Sequence, residues 1–120
     1  STKNFGRPFS PRRYFMEYIS IDELHNRIRN LEPDDLILDV RTPGEFQAGH
    51  IQGAQNTPHG EVPRIADNLK QYKTVYVHCK MGGRAKMAAQ ALQGIGLDNI
   101  VCVGDGGMER WMEMGWALEK

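Results

Sequence analysis

One cysteine of this chain is followed at once by glycines and cations, in the run Cys79-Lys80-Met81-Gly82-Gly83-Arg84. The thiolate, not the thiol, is the nucleophilic form of cysteine, and an ordinary cysteine is mostly protonated near neutral pH. Covalent chemistry therefore needs something that favours the anion. Gly82 and Gly83 permit backbone angles closed to other residues, so the N–H groups of residues 80 to 84 can turn towards one point. Lys80, Arg84 and the N-terminus of a helix starting near Arg84 act in the same direction. The run predicts an activated Cys79 that attacks a donor and carries a group covalently. An inert core cysteine has no use for the glycines or the cations.

The other candidate residues read differently. Cys102 lies inside Ile100-Val101-Cys102-Val103 with no such loop, so it is assigned to packing. His78 precedes the nucleophile, and side chains alternate along a strand, so it should point away from where Cys79 points. The cysteines form no C-x-x-C pair, and His25, His50, His59 and His78 are scattered, so no metal and no cofactor is expected. Free thiols in a reducing compartment are the expectation.

The elements that must position Cys79 are legible in outline. Ser20 and Glu23 form an S-x-x-E capping box with Ile19 and Leu24 at staple positions, predicting a helix from about Ile21 to Asn30. Leu36-Ile37-Leu38 is a short apolar strand ending at Asp39, as expected when both faces are covered. Thr42 to Gly53 reads as a long loop, followed by a helix carrying Val62, Ile65 and Leu69 with Pro63 in its first turn. Thr74 to Val77 is a β-branched and aromatic strand leading into Cys79, and Arg84 to Gln93 is a helix closed at Gly94 or Gly96. Ile100 to Val103 is another strand, and a last helix, Met108 to Met114, stops at Gly115. Strands alternating with helices predict an α/β fold with a mainly parallel sheet covered on both faces. In such sheets the ligand site lies beyond the carboxyl ends of the strands, where Cys79 stands.

Size and charge bound the rest. The 120 residues fit one domain, with residues 1–16 read as an extended or mobile arm carrying Arg7, Arg12 and Arg13, and 17–120 as the domain proper. Lys plus Arg and Asp plus Glu number 15 each, so no global field favours nucleic acid or an anionic membrane. No apolar run approaches a membrane span of about 18 residues. A soluble, cytoplasmic protein is expected, with a periplasmic address open had a signal peptide been removed. The oligomeric expectation is a monomer or weak dimer.

Taken together, four motifs resemble the single-domain rhodaneses from about Tyr18 to Leu118. Leu38-Asp39-Val40-Arg41-Thr42-Pro43-Gly44-Glu45-Phe46 is similar to the family's D-V-R-x-x-x-E-[FY] segment. Gly49-His50-Ile51-Gln52-Gly53-Ala54 is similar to its G-H-I-x-G-A segment, and the Cys79–Arg84 run to its active loop C-x-x-G-x-R. Gly106-Gly107-Met108 with Trp111 and Gly115 resembles its closing helix.

The resemblance implies a five-stranded, rhodanese-like sheet and a sulfurtransferase in which Cys79 holds a persulfide stabilised by residues 80 to 84. The implied donor is thiosulfate or another persulfide; the implied acceptor is a thiol, cyanide or a protein. Arg84 would close the cradle and Lys80 would attract an anionic donor. Asp39 and Arg41 would border the pocket, with Glu45 as the partner of Arg41, and His50 would lock its own loop. Two alternatives stay open. One is a non-enzymatic docking or regulatory module of the same fold; the other is a Cdc25-like phosphatase, whose cradle C-x-x-x-x-x-R is one residue longer than the loop from Cys79 to Arg84.

Overall fold

A computed structural model describes residues 16–120. Five strands form one sheet: β1 (Glu17–Ser20), β2 (Asp35–Asp39), β3 (Gln55–Asn56), β4 (Thr74–His78) and β5 (Ile100–Asp105). Their order is β1-β5-β4-β2-β3, and every pairing is parallel. The expectation was a mainly parallel sheet, and among the described strands it is wholly so. Residues 1–15, which hold nearly all of the expected arm and its arginines, lie outside the described residues; Met16 packs against the core.

Alternation along the strands divides the interior into two cores. Leu36, Leu38, Val75, Val77 and Cys79 face one side, where they meet Ala85, Ala88, Ala89 and Leu92. Ile37, Tyr76, Val101 and Val103 face the other, against Ile21, Leu24, Met108 and Trp111. Helices α1 (Ile21–Arg27) and α5 (Gly107–Glu113) thus cover one face, and α3 (Ala66–Leu69) and α4 (Gly83–Ile95) the other. The buried residues of α4 recur at helical spacing, and three are alanines, so the helix lies close on the sheet. Truncating a fully buried residue such as Leu24 or Leu92 to alanine is expected to cost ~2–5 kcal/mol.

Two elements differ from the sequence reading. Thr42 to Gly53 is not one loop, because it contains helix α2 (Pro43–Ala48). Thr42 caps it: its Oγ1 accepts from the Glu45 amide at 3.3 Å while the Glu45 carboxylate accepts from the Thr42 amide at 3.0 Å. Proline occupies the first turn, where its missing N–H costs nothing. The expected second helix is instead a 3₁₀ stretch, His59–Ile65, running into the short α3. Pro63 sits inside the 3₁₀ stretch and removes a donor there.

The helices that flank the site are set by their ends. Ser20 Oγ accepts from the Glu23 amide at 3.0 Å, starting α1 where the sequence placed it, and the last expected turn, Ile28–Asn30, is 3₁₀. Helix α4 ends at Gly96, whose φ of 112° makes it a left-handed cap.

Candidate active site

Cys79 is the first residue beyond β4, and strand alternation turns its side chain towards α4. Two backbone amides converge on its sulfur. The Gly82 N–H donates to Sγ at 3.0 Å and the Ala85 N–H at 3.3 Å. Gly82 has φ of 121°, in the region that favours glycine, and a Cβ there would overlap the Gly104 carbonyl. The fold therefore requires glycine at the position that aims the nearer amide.

Helix α5 fixes the loop from the other side. The Met108 amide donates to the Cys79 carbonyl and the Glu109 amide to the Lys80 carbonyl, each at 2.9 Å. Gly107, at φ 45°, lies so close beneath these carbonyls that a Cβ would overlap both. Gly107 of the closing motif thus serves the loop as well as its own helix.

The expected cradle differs in two respects from the one observed. The second amide on the sulfur belongs to Ala85, one residue beyond the expected loop; the signal for it was the helix start, whose first-turn N–H groups lack intrahelical partners. The Arg84 guanidinium meets Glu45 through two bonds, at 2.7 and 3.0 Å. Arg84 pulls the Glu45 carboxyl down to about 2, against an opposing effect of burial, with Thr42 assisting. Glu45 in turn raises Arg84, and the nearby Cys79 adds to that.

Glu45 is consequently not the partner of Arg41, as the family resemblance implied. Arg41 instead turns back on Asp39, with Nη2 at 2.7 Å from Oδ2 and Nε at 3.0 Å from Oδ1, and donates to the Gly49 carbonyl at 2.8 Å. Both residues are buried. Asn56, unremarked in the sequence, ties the same turn together by donating to the carbonyls of Asp39 and Arg41. Asn56 was missed and Glu45 was given the wrong partner because partners distant in sequence carry no local signal. The Thr42-x-x-Glu45 capping pattern was the one available clue to the helix that aims Glu45.

His50 does lock its loop. Its Nδ1 lies 2.9 Å from the Phe46 carbonyl, and its ring stacks on that of Phe46 at 3.8 Å. His78 is fully buried, with Nε2 3.9 Å from Asp39 Oδ2 and no hydrogen-bond partner on either ring nitrogen. Burial lowers its pKa, opposed by Asp39, so His78 is held neutral.

Cys79 itself is 1% exposed. Beside its loop a cavity of about 520 Å³ opens between α2 and α5, lined by Arg41, Glu45, Ala48, Lys80, Met108 and residues of the outer face of α5. Among the described residues no group of three or more His, Cys, Asp and Glu could hold a metal ion, and no helix is long and apolar enough to cross a membrane.

An all-parallel five-stranded sheet that delivers a cysteine into a loop of inward amides defines a class, and residues 20–114 match the family model described as a rhodanese-like domain. The chain belongs to the rhodanese-like domain family. It is 36% identical over 75 residues to the putative sulfur carrier protein YrkF of Bacillus subtilis, a match covering 62% of this chain and 40% of that one. It is 29% identical over 79 residues to the thiosulfate sulfurtransferase GlpE of Tolumonas auensis, covering 66% and 74%. The crystal structure of a rhodanese-related protein from Thermoplasma volcanium superposes with a TM-score of 0.73 at 32% identity, covering 86% of this chain and 97% of the other. The chain spans 40% of the relative named as a sulfur carrier and 74% of the one named as a sulfurtransferase.

Proposed function

We propose that the protein is a sulfurtransferase that moves a sulfane sulfur through a persulfide on Cys79, with thiosulfate or another persulfide as donor. The observation that carries this reading is the pair of amides, from Gly82 and Ala85, directed at Sγ. Backbone donors stabilise an anionic sulfur without a base and cost no reorganisation when charge appears.

In the first half-reaction the Cys79 thiolate attacks the outer sulfur of thiosulfate. The S–S bond of the donor breaks, sulfite departs with the electron pair, and Cys79 becomes a persulfide. In the second, an acceptor nucleophile attacks the outer sulfur, the new S–S bond breaks, and the Cys79 thiolate returns. The expected kinetics are ping-pong. Residues 80 to 85 would serve as the substrate-binding cradle, with Lys80 and Met81 exposed at its outer side. The Asp39–Arg41 pair would support the pocket from beneath, and the Arg84–Glu45 pair would brace the cradle against α2. Because Cys79 is buried, a donor reaches it only when the outer loop side chains give way.

Treating the protein with thiosulfate and weighing it tests the reading. A gain of one sulfur atom on Cys79, absent in Cys79→Ser, is expected. A wild-type Cys79 that takes up no sulfur from thiosulfate or a persulfide would sink it and leave the docking-module alternative.

A further inference from the structure

We propose that the acceptor is a cysteine on a protein segment rich in basic and apolar residues, which docks in the cavity between α2 and α5. The proposal rests on the sulfurtransferase reading above and concerns only where the sulfur goes.

The cavity is too large and wrongly charged for a small anion alone. Its volume, about 520 Å³, falls within the ~300–1,000 Å³ typical of sites for ligands far larger than an inorganic ion. Three carboxylates line it, Glu45, Glu109 and Glu113, against two cations, Arg41 and Lys80. Arg41 is already engaged by Asp39, and Glu45 is matched by Arg84. What remains at the mouth is Lys80 facing the exposed Glu109 and Glu113, an excess of negative charge.

The geometry of α5 makes this a surface and not a scatter of charges. Residues four apart lie on one helical face, so Met108 stacks below Met112 and Glu109 below Glu113. Glu109 and Glu113 therefore form an acidic stripe beside the exposed Met112, with Met108 buried beneath it, along the wall nearest the Cys79 loop. Met112 is 43% exposed, and Met81, on the loop itself, is 62% exposed. Methionine is flexible and polarisable, which suits a contact that must mould to a protein surface. A segment with Lys or Arg beside its cysteine meets the acidic stripe, its apolar residues meet the methionines, and its own cations favour the acceptor thiolate.

The transfer balances without any further reagent. The acceptor thiol loses its proton to solvent, its sulfur attacks the outer sulfur of the Cys79 persulfide, and the S–S bond to Cys79 breaks. The acceptor leaves as a persulfide and Cys79 as a thiolate, with no net oxidation.

The test uses the full chain, loaded with thiosulfate and freed of excess donor. It is offered two synthetic peptides with a central cysteine and the same leucines, one flanked by lysines and one by glutamates. Persulfide on each peptide is followed by mass. At low salt the lysine peptide is expected to be sulfurated at least about tenfold faster, and the ratio should shrink near 1 M salt, where screening acts within ~3 Å. The double variant Glu109→Lys/Glu113→Lys should reverse the preference. Equal rates for both peptides with a loaded Cys79, or a preference that ignores salt and both substitutions, would overturn the proposal while leaving the sulfurtransferase reading intact. Failure of Cys79 to load at all would overturn both.

Discussion

Cys102 lies within β5 and Cys79 directly after the neighbouring β4, and the two are equally lost from solvent, at 1% exposure for Cys79 and 0% for Cys102. Burial does not distinguish them. What differs is the backbone around each sulfur. Cys102 sits within β5, where the strand's amides are spent on its neighbours, and burial pushes its thiol up to about 11, with Lys86 only partly opposing. Cys79 stands where a strand gives way to a helix, and amides with no strand or helix partner are free to meet it. On the proposed function, a reactive sulfur is made by the end of an element and an inert one by its middle.

Swapping the roles of the two residues is the strongest way to break this contrast. Cys79→Ser is expected to reduce sulfur transfer to cyanide by at least about 10³-fold, since no other nucleophile can hold the sulfur. Cys102→Ala should leave turnover within a few-fold of wild type and lower stability through the lost sulfur packing, seen in the melting temperature. Comparable losses in the two variants would erase the distinction.

The next largest effect concerns what supports the cradle. Asp39→Asn leaves the Arg41 guanidinium buried against a neutral amide, and the expected loss is ~3–5 kcal/mol of stability by denaturant unfolding. An unfolding midpoint close to wild type would show that the pair does not hold the base of the pocket.

Gly82→Ala probes the cradle directly, because its Cβ must displace the Gly104 carbonyl and its φ is unfavourable for alanine. Strain of that kind costs about 1–3 kcal/mol, so transfer should fall by roughly tenfold or more even in variant protein that remains folded. A fully active, stable variant would mean that the Gly82 amide does not matter to the sulfur.

The smallest expected effect lies at the Glu45–Arg84 brace. Its groups are partly exposed, so Glu45→Gln should cost no more than about 1 kcal/mol. The Glu45 carboxyl is depressed from its ordinary 4.5 to about 2 in the folded protein. Its contribution is therefore complete above about pH 4.5 and fades as the pH falls towards 2. The melting-temperature gap between wild type and Glu45→Gln should be constant at neutral pH and close within that acidic window. A gap that persists at pH 2 would assign the loss to something other than the ion pair.

Much of this was written along the chain. The strand entering Cys79, the glycine turn after it, the Ser20 N-cap and the alternation of strands with helices are local patterns, and each was found where the residues placed it, although the Glu23 carboxylate meets Arg27 and does not complete the expected capping box. The His50 loop lock, which only the family resemblance implied, is made with the Phe46 carbonyl four residues back. Helix α2 went unread although its Thr-Pro-Gly-Glu start carries a capping signal, since the surrounding turn formers outweighed it. Strands β1 and β3 were not placed because they are short edge strands, defined by what they pair with more than by their own composition.

The sequence by itself determined where a nucleophile could stand and which backbone freedom surrounds it, for turn chemistry and helix capping act over three or four residues. Only the tertiary structure decided which charges meet. Asp39 took Arg41, Glu45 took Arg84 across 39 positions, and α5 folded back to hold the Cys79 loop and to lend the neighbouring cavity its acidic wall. Charge pairing depends on distance in space, and several arginines and carboxylates along one chain leave that choice open until the sheet order brings particular ends together.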